Sequence, residues 1–370
     1  VELDGDEVSD LKQFSEKYGV ELPEDNLLKF KGYGLYQKVM KFYPLESVRR
    51  KTYVNFSNVA KENIEILDRL QELRDERAKL LGFKNHSAFV LDINSVKTPE
   101  KALEFLGSFR SEVMKHAEAE DKDICNVLGI ERDELHKVYN APYLMERYRI
   151  EKFNVDANEY KKYFELESVL GTMMRVYEGF FDIKYEEVTE PIAEVWHEDV
   201  RTFKVWDARP GVGEQFLGVI HLDIMAREGK WQHPSNFPLV RRHEYLSAGE
   251  TNMPSSALVT SFEAVEDQPV LLLRNEVETL FHEFGHTMHE IMNHKKYCTI
   301  GGTAIARDLV EVPSMYLEYL IWDPGFLKKV GRHYKTDKPM TKSEIDALVS
   351  IKHVGSVGYF LKQIAYSLFD

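Results

Sequence analysis

The chain has 370 residues, with 48 Lys or Arg against 62 Asp or Glu, a formal net charge of −14. A hydrophobic content of 43% with 12% aromatics rules out a disordered or low-complexity protein. The acidic balance argues against nucleic acid or an anionic membrane as partner, since both call for clustered cations, and no apolar run approaches the ~20 residues of a membrane span.

The length suits two or three structural units. Cys125 and Cys298 are too few for a disulfide framework, and a reducing compartment is expected. In chain order, the pattern predicts a helix between Val54 and Gly82, with leucines at 67, 70, 73, 80 and 81 and i,i+4 pairs Glu65–Arg69 and Asp75–Lys79. Thr98-Pro99-Glu100 reads as a helix start, a hydroxyl N-cap followed by proline, with Ala102, Leu106, Phe109 and Val113 as its apolar stripe. Another helix is expected from about Ala157 to Phe181.

The texture changes near Val195. Val200 to Trp206 alternates, Phe216 to Ile224 is rich in strand formers, and Arg209–Gly213 between them has a hairpin's composition. Ser256 to Phe262 is a third strand, free on this reading to pair with an extended peptide or to serve as an ordinary edge. From Asn275 the chain returns to helix. The fold expected is mainly α, with a small antiparallel sheet just before the most informative segment.

That segment is Phe281-His-Glu-Phe-Gly-His-Thr-Met-His-Glu290. His282 and His286 stand one helical turn apart on one face, so both imidazoles can reach one Zn²⁺ at ~2.0–2.1 Å. Glu283 is placed to take a proton from a water activated by the metal. Chance supplies about 0.05 such HExxH matches in a chain of this length. Three other His-Glu pairs begin at His197, His243 and His289, and each has a non-histidine at i+4. His289 lies seven residues from His282, ~10.5 Å along a helix axis, too far for one metal to hold both, so packing or second-layer support is expected of it. A carboxylate from another helix is therefore needed. The helical pattern Thr303–Trp322 carries Glu311, flanked by Asp308, Ser314 and Glu318, and the apolar Leu309, Val310, Val312, Met315 and Leu317 suggest its burial.

The stretch Leu272–Trp322 resembles the catalytic core of the thimet oligopeptidase, neurolysin and oligopeptidase A family. Glu276-Val-Glu-Thr-Leu-Phe281 leads into the motif, and Arg307-Asp-Leu-Val-Glu-Val-Pro-Ser314 follows, placing Glu311 25 residues after His286. Arg74–Leu91, Lys97–Lys101, Trp196–Val200 and Arg227–Lys230 also look like family segments. Ser261, Arg274 and Gly301 depart from residues common there.

The resemblance implies a zinc-dependent oligopeptidase with one Zn²⁺ held by His282, His286 and Glu311 and with Glu283 as general base. It would cleave internal bonds of short peptides admitted to a channel between two helical domains, 1–190 and 191–370. A monomer in the cytoplasm is expected, with the mitochondrion as the other location. Peptidyl-dipeptidase or carboxypeptidase action of the same glutamate-zincin type, and peptide binding without efficient turnover, stay open. The helical pattern beginning near Thr341 is still apolar at Phe369, and the resemblance implies a further C-terminal segment carrying oxyanion-stabilising His and Tyr side chains.

Overall fold

The computed structural model describes residues 3–4, 10–11, 14–15, 33–189, 195–245, 249–264 and 268–369. They form two compact units, residues 1–156 with 350–370 and residues 157–349. This boundary falls elsewhere than 190: the stretch 157–190 lies with the second unit and 350–370 with the first.

The first unit is helical, built from α1 (Tyr33–Phe42), α2 (Glu46–Ser57), α3 (Ile64–Leu80), α4 (Pro99–Leu128) and α5 (Ala141–Phe153) together with the chain's last helix, Ser356–Phe369. The helix predicted over Val54–Gly82 is interrupted. The left-handed Ala60 at φ 57° breaks it between α2 and α3, while Gly82 at φ 85° supplies the expected stop. Asp75 and Lys79 pair as expected, but Arg69 bonds Glu72 rather than Glu65. The predicted N-cap of α4 forms, with Thr98 Oγ1 accepting from Lys101 N–H at 3.3 Å. Ile124, Leu128, Leu135, Leu144 and Tyr148 build one small core where α4 meets α5. Phe109 of the predicted stripe meets Phe360 of the last helix edge to face at 5.3 Å.

The second unit holds α6 (Leu166–Phe181) and then β1 (Ile183–Glu187), β2 (Arg201–Asp207), β3 (Gln215–Met225), β4 (Ser235–Val240), β5 (His243–Tyr245), β6 (Glu250–Asn252) and β7 (Ser255–Phe262). Helices α7 (Arg274–Ile291), α8 (Val312–Glu318) and α9 (Pro324–Val330) follow. Five strands form one sheet in the order β1-β2-β3-β7-β4, with β5 and β6 as a separate ribbon. The β2–β3 hairpin is antiparallel as predicted, but β3 and β7 run parallel, so the sheet is mixed. β7 sits between β3 and β4 and has no open edge; the end strand on that side is β4, with β1 at the other end. A peptide pairing with β7 is therefore ruled out by its own neighbours.

Helix α7 crosses β3, β7 and β4. Its packed side buries Val277, Leu280, Phe281, Phe284, Met288 and Ile291, and Tyr177 of α6 stands edge-on to Phe284 at 4.8 Å. At ~1.5–3 kcal/mol for each large side chain buried, this packing holds the helix where its polar residues must act. Both cysteines are free. Among the described residues no helix is long and apolar enough to cross a membrane.

Candidate metal centre

Helix α7 starts with Glu276 reaching back to accept from the Leu273 N–H at 2.7 Å, which satisfies one of the donors every helix start leaves open. Two turns later come His282 and His286, their rings 4.9 Å apart and nearly perpendicular. The carboxylate comes from the next helix. Glu311 is not inside a helix over 303–322, as the pattern suggests; that stretch is turns up to Glu311, which is the residue immediately before α8. Pro313 explains the late start, since it fits only a helix's first turn. Glu311 is also not buried by its apolar neighbours: its side chain is 51% exposed, and Leu309, Val312 and Met315 are exposed as well.

The three side chains nevertheless converge. Glu311 Oε2 lies 3.1 Å from His282 Nε2 and 3.0 Å from His286 Nε2. One ligand atom from each residue lies within 4.8 Å of the others. Tetrahedral bonds of ~2.0–2.1 Å would set ligand atoms about 3.3 Å apart, so the spacing fits a small divalent ion. The chemistry agrees. His282 Nδ1 faces Glu318 Oε2 at 3.0 Å, which calls for a proton on Nδ1 and leaves the neutral ring's lone pair on Nε2. Lone pairs then meet around one point, an arrangement a cation satisfies. His289 is not part of the group, and burial pushes its pKa down.

Residues without an assigned role in the sequence set this geometry. Ser314 Oγ donates to the Glu311 backbone oxygen at 2.8 Å and lies 3.0 Å from its Oε2, fixing the carboxylate. A Cβ on Gly285 would lie 2.7 Å from Ser314 Cα, so the glycine inside the HExxH stretch is what lets α8 approach closely enough to present Glu311. Glu318, two turns after Glu311, orients His282. The seven-residue spacing of Glu311, just before α8, and Glu318, at its end, is visible in the sequence, but their shared target is not.

Glu283 is buried against β4. Burial raises its pKa above the ordinary carboxyl value, against the opposing pull of His282, His233 and the Asn236 N–H. The Asn236 side-chain amide donates to Ser256 Oγ and Thr287 Oγ1, each at 2.7 Å, and Thr287 Oγ1 donates to the Glu283 carbonyl at 3.0 Å. β4, β7 and α7 are thereby clamped beside Glu283. At His282, burial opposes the charged form, but the Glu318 bond and the surrounding carboxylates outweigh it and raise the pKa. At His286 burial prevails and lowers it.

The distant family segments also have a physical reason. Trp196 Nε1, Arg227 and Lys230 all converge on the buried Asp223 of β3, at 2.6–2.8 Å. The departures have local partners: Ser261 Oγ donates to the Trp231 carbonyl, Arg274 lies over the Trp322 ring, and Gly301 packs where a Cβ would strike Asn293.

Paired imidazoles on one helix, a carboxylate from the next and a glutamate beside them are the parts of an HExxH-type metal centre. Residues 39–370 match Peptidase family M3, and the chain belongs to that family. It is 30% identical over 345 residues to saccharolysin of Saccharomyces cerevisiae, covering 90% of this chain and 48% of that protein. Similarity to thimet-like oligopeptidase of Dictyostelium discoideum is again 30% over 345 residues, covering 90% and 50%. Oligopeptidase A of Escherichia coli is 26% identical over 356 residues, with 90% and 50% covered. The chain spans about half the length of these curated relatives.

Proposed function

We propose that the protein is a zinc-dependent oligopeptidase that hydrolyses internal bonds of short peptides and acts as a monomer. The observation that carries this reading is the meeting of His282 Nε2, His286 Nε2 and Glu311 Oε2 next to the buried carboxylate of Glu283. His282, His286 and Glu311 would hold one Zn²⁺. When bound, zinc supplies Lewis acidity toward a carbonyl oxygen and toward water.

The remaining chemistry belongs to the chain. Glu283, its proton affinity raised by burial, accepts a proton from the attacking water and delivers it to the leaving amine. Glu318 keeps His282 in the tautomer that presents Nε2. β4 ends the sheet among the described residues and its Asn236 N–H faces Glu283, so its outer edge would offer the substrate backbone a strand to pair with, the role expected of β7.

Glu283→Gln should keep zinc and lose nearly all hydrolysis, because it removes a proton carrier without removing a ligand. Metal analysis alongside mass spectrometry of a defined peptide mixture reads both. Activity near that of the parent would sink the mechanism, and zinc lost together with activity would show the roles to be misassigned. Cleavage only at chain termini in the same mixture would select exopeptidase action instead.

A further inference from the structure

We infer that a basic patch at the far end of β4 binds acidic side chains of the peptide substrate, about five or six residues from the bond held at Glu283. This rests on the peptidase reading above and names a substrate class for it.

Two segments build the patch. Arg241 and Arg242 follow β4 directly, and His294, Lys295 and Lys296 follow the end of α7. They are knitted together: Arg242 Nη1 donates to the Lys295 carbonyl at 3.0 Å, and Glu244 N–H donates to the Lys296 carbonyl at 3.1 Å. In a chain of net charge −14, four obligate cations in one place stand out against their background. The acids nearby are mostly committed. Glu244 accepts from Arg242 at 3.3 Å, and Asp207, which His294 faces, is held by Arg209 at 2.6 Å. Lys295 and Lys296 are exposed and make no ion pair among the described residues, and Arg241 Nε is buried without an acceptor there.

The negative end of α7 accounts for only part of this charge. A helix dipole acts within its last turn, whereas Lys295 and Lys296 lie four and five residues beyond Ile291. Position supplies the rest of the argument. The Asn236 N–H of β4 faces Glu283, and Arg241 and Arg242 follow five and six residues later, just past the register shift between Pro238 and Val240 and the strand's end, at most roughly 16–20 Å away at ~3.3 Å per residue. A peptide paired with the open edge of β4 passes from the base to the patch in the same number of residues.

The test uses the zinc-loaded full chain carrying Glu283→Gln, so that peptides stay intact, and two labelled peptides. These are identical except for three Glu or three Gln placed five to seven residues from the scissile bond. By fluorescence anisotropy the Glu peptide should bind roughly tenfold tighter at low salt, the size expected of two or three exposed ion pairs, and the ratio should fall as salt rises. Lys295→Glu with Lys296→Glu should reverse the preference, favouring a third peptide with Lys at those positions. Because the readout is a ratio, any loss of affinity common to all peptides cancels. Equal affinities, or a preference for Glu that survives charge reversal, would overturn the proposal. Cleavage by the parent chain is scored separately: its absence removes the peptidase reading and leaves the affinity ratio to stand or fall alone.

Discussion

Helices α3 and α7 are almost equal in length, 17 and 18 residues, and both show apolar residues at helical spacing. Their physical situations are opposite. In α3 only Ala78 is buried; Leu67, Leu70 and Leu73 face solvent, and the Arg69–Glu72 and Asp75–Lys79 pairs brace it locally. Helix α7 buries ten residues, among them Gly285, Thr287, Glu283 and Glu290, the last with no exposed surface. A stripe of leucines therefore identifies a helix, but it does not say whether anything packs on it. Buried polar groups are the better guide to function, because each costs free energy unless a partner is built for it.

The largest effect expected outside catalysis tests whether buried charge is as costly elsewhere. Asp223→Asn should destabilise the fold by about 3–5 kcal/mol, since it leaves Lys230, only 3% exposed, without its counter-charge. Burial would raise the Asp223 pKa, but Arg227, Lys230 and Trp196 more than offset this and hold it well below the ordinary 3.8. The stabilisation is thus fully present above about pH 4 and is lost as pH falls toward the lowered value. Parent and variant should differ most in urea melts at neutral pH and converge in acid.

Two helical glycines sharpen the contrast between tight and open packing. Gly285→Ala forces a methyl against the α8 backbone and should cost about 1–3 kcal/mol while weakening zinc binding, read by chelator competition. Gly107 of α4 has nothing within 4 Å of a built Cβ, and Gly107→Ala should stabilise by about 0.4–1 kcal/mol. Opposite signs from one chemical change would show that approach of a second helix, not helix propensity, sets the outcome.

Glu318→Ala should lower zinc affinity roughly 10–100-fold, with Glu318→Gln recovering part of it by keeping an acceptor near His282 Nδ1. Smallest of all, Leu70→Ser on the exposed face of α3 should move the midpoint of thermal unfolding by no more than about 0.5 kcal/mol allows.

Much of this was legible before the structure. The HExxH spacing named His282, Glu283 and His286, and Thr98-Pro99 fixed the start of α4 within a residue, because such signals are local and involve backbone groups with few alternatives. The parallel β3–β7 pairing was not legible, since strand alternation carries no information about direction. Glu311 does come together with the two histidines, but not through the burial its apolar neighbours suggest. Its neighbours Leu309, Val312 and Met315 are exposed, and the side chain is placed by Ser314 and by the close approach at Gly285. Glu318 and Asn236 could not be found from spacing, because their partners come from other elements.

His286 and Glu311, both proposed metal ligands, bracket a segment that includes the exposed Lys295 and Lys296. Protein bonds anchor it as well, notably Glu290, which accepts from both the N–H and the hydroxyl of Thr303. An ion shared by His286 and Glu311 would close this segment into a ring, and ring closure removes freedom from the open chain. Those two lysines are adjacent tryptic sites inside the ring, so the rate of nicking there becomes a clock for metal occupancy. It would run slowly in zinc and faster in chelator, and it needs no substrate to be read.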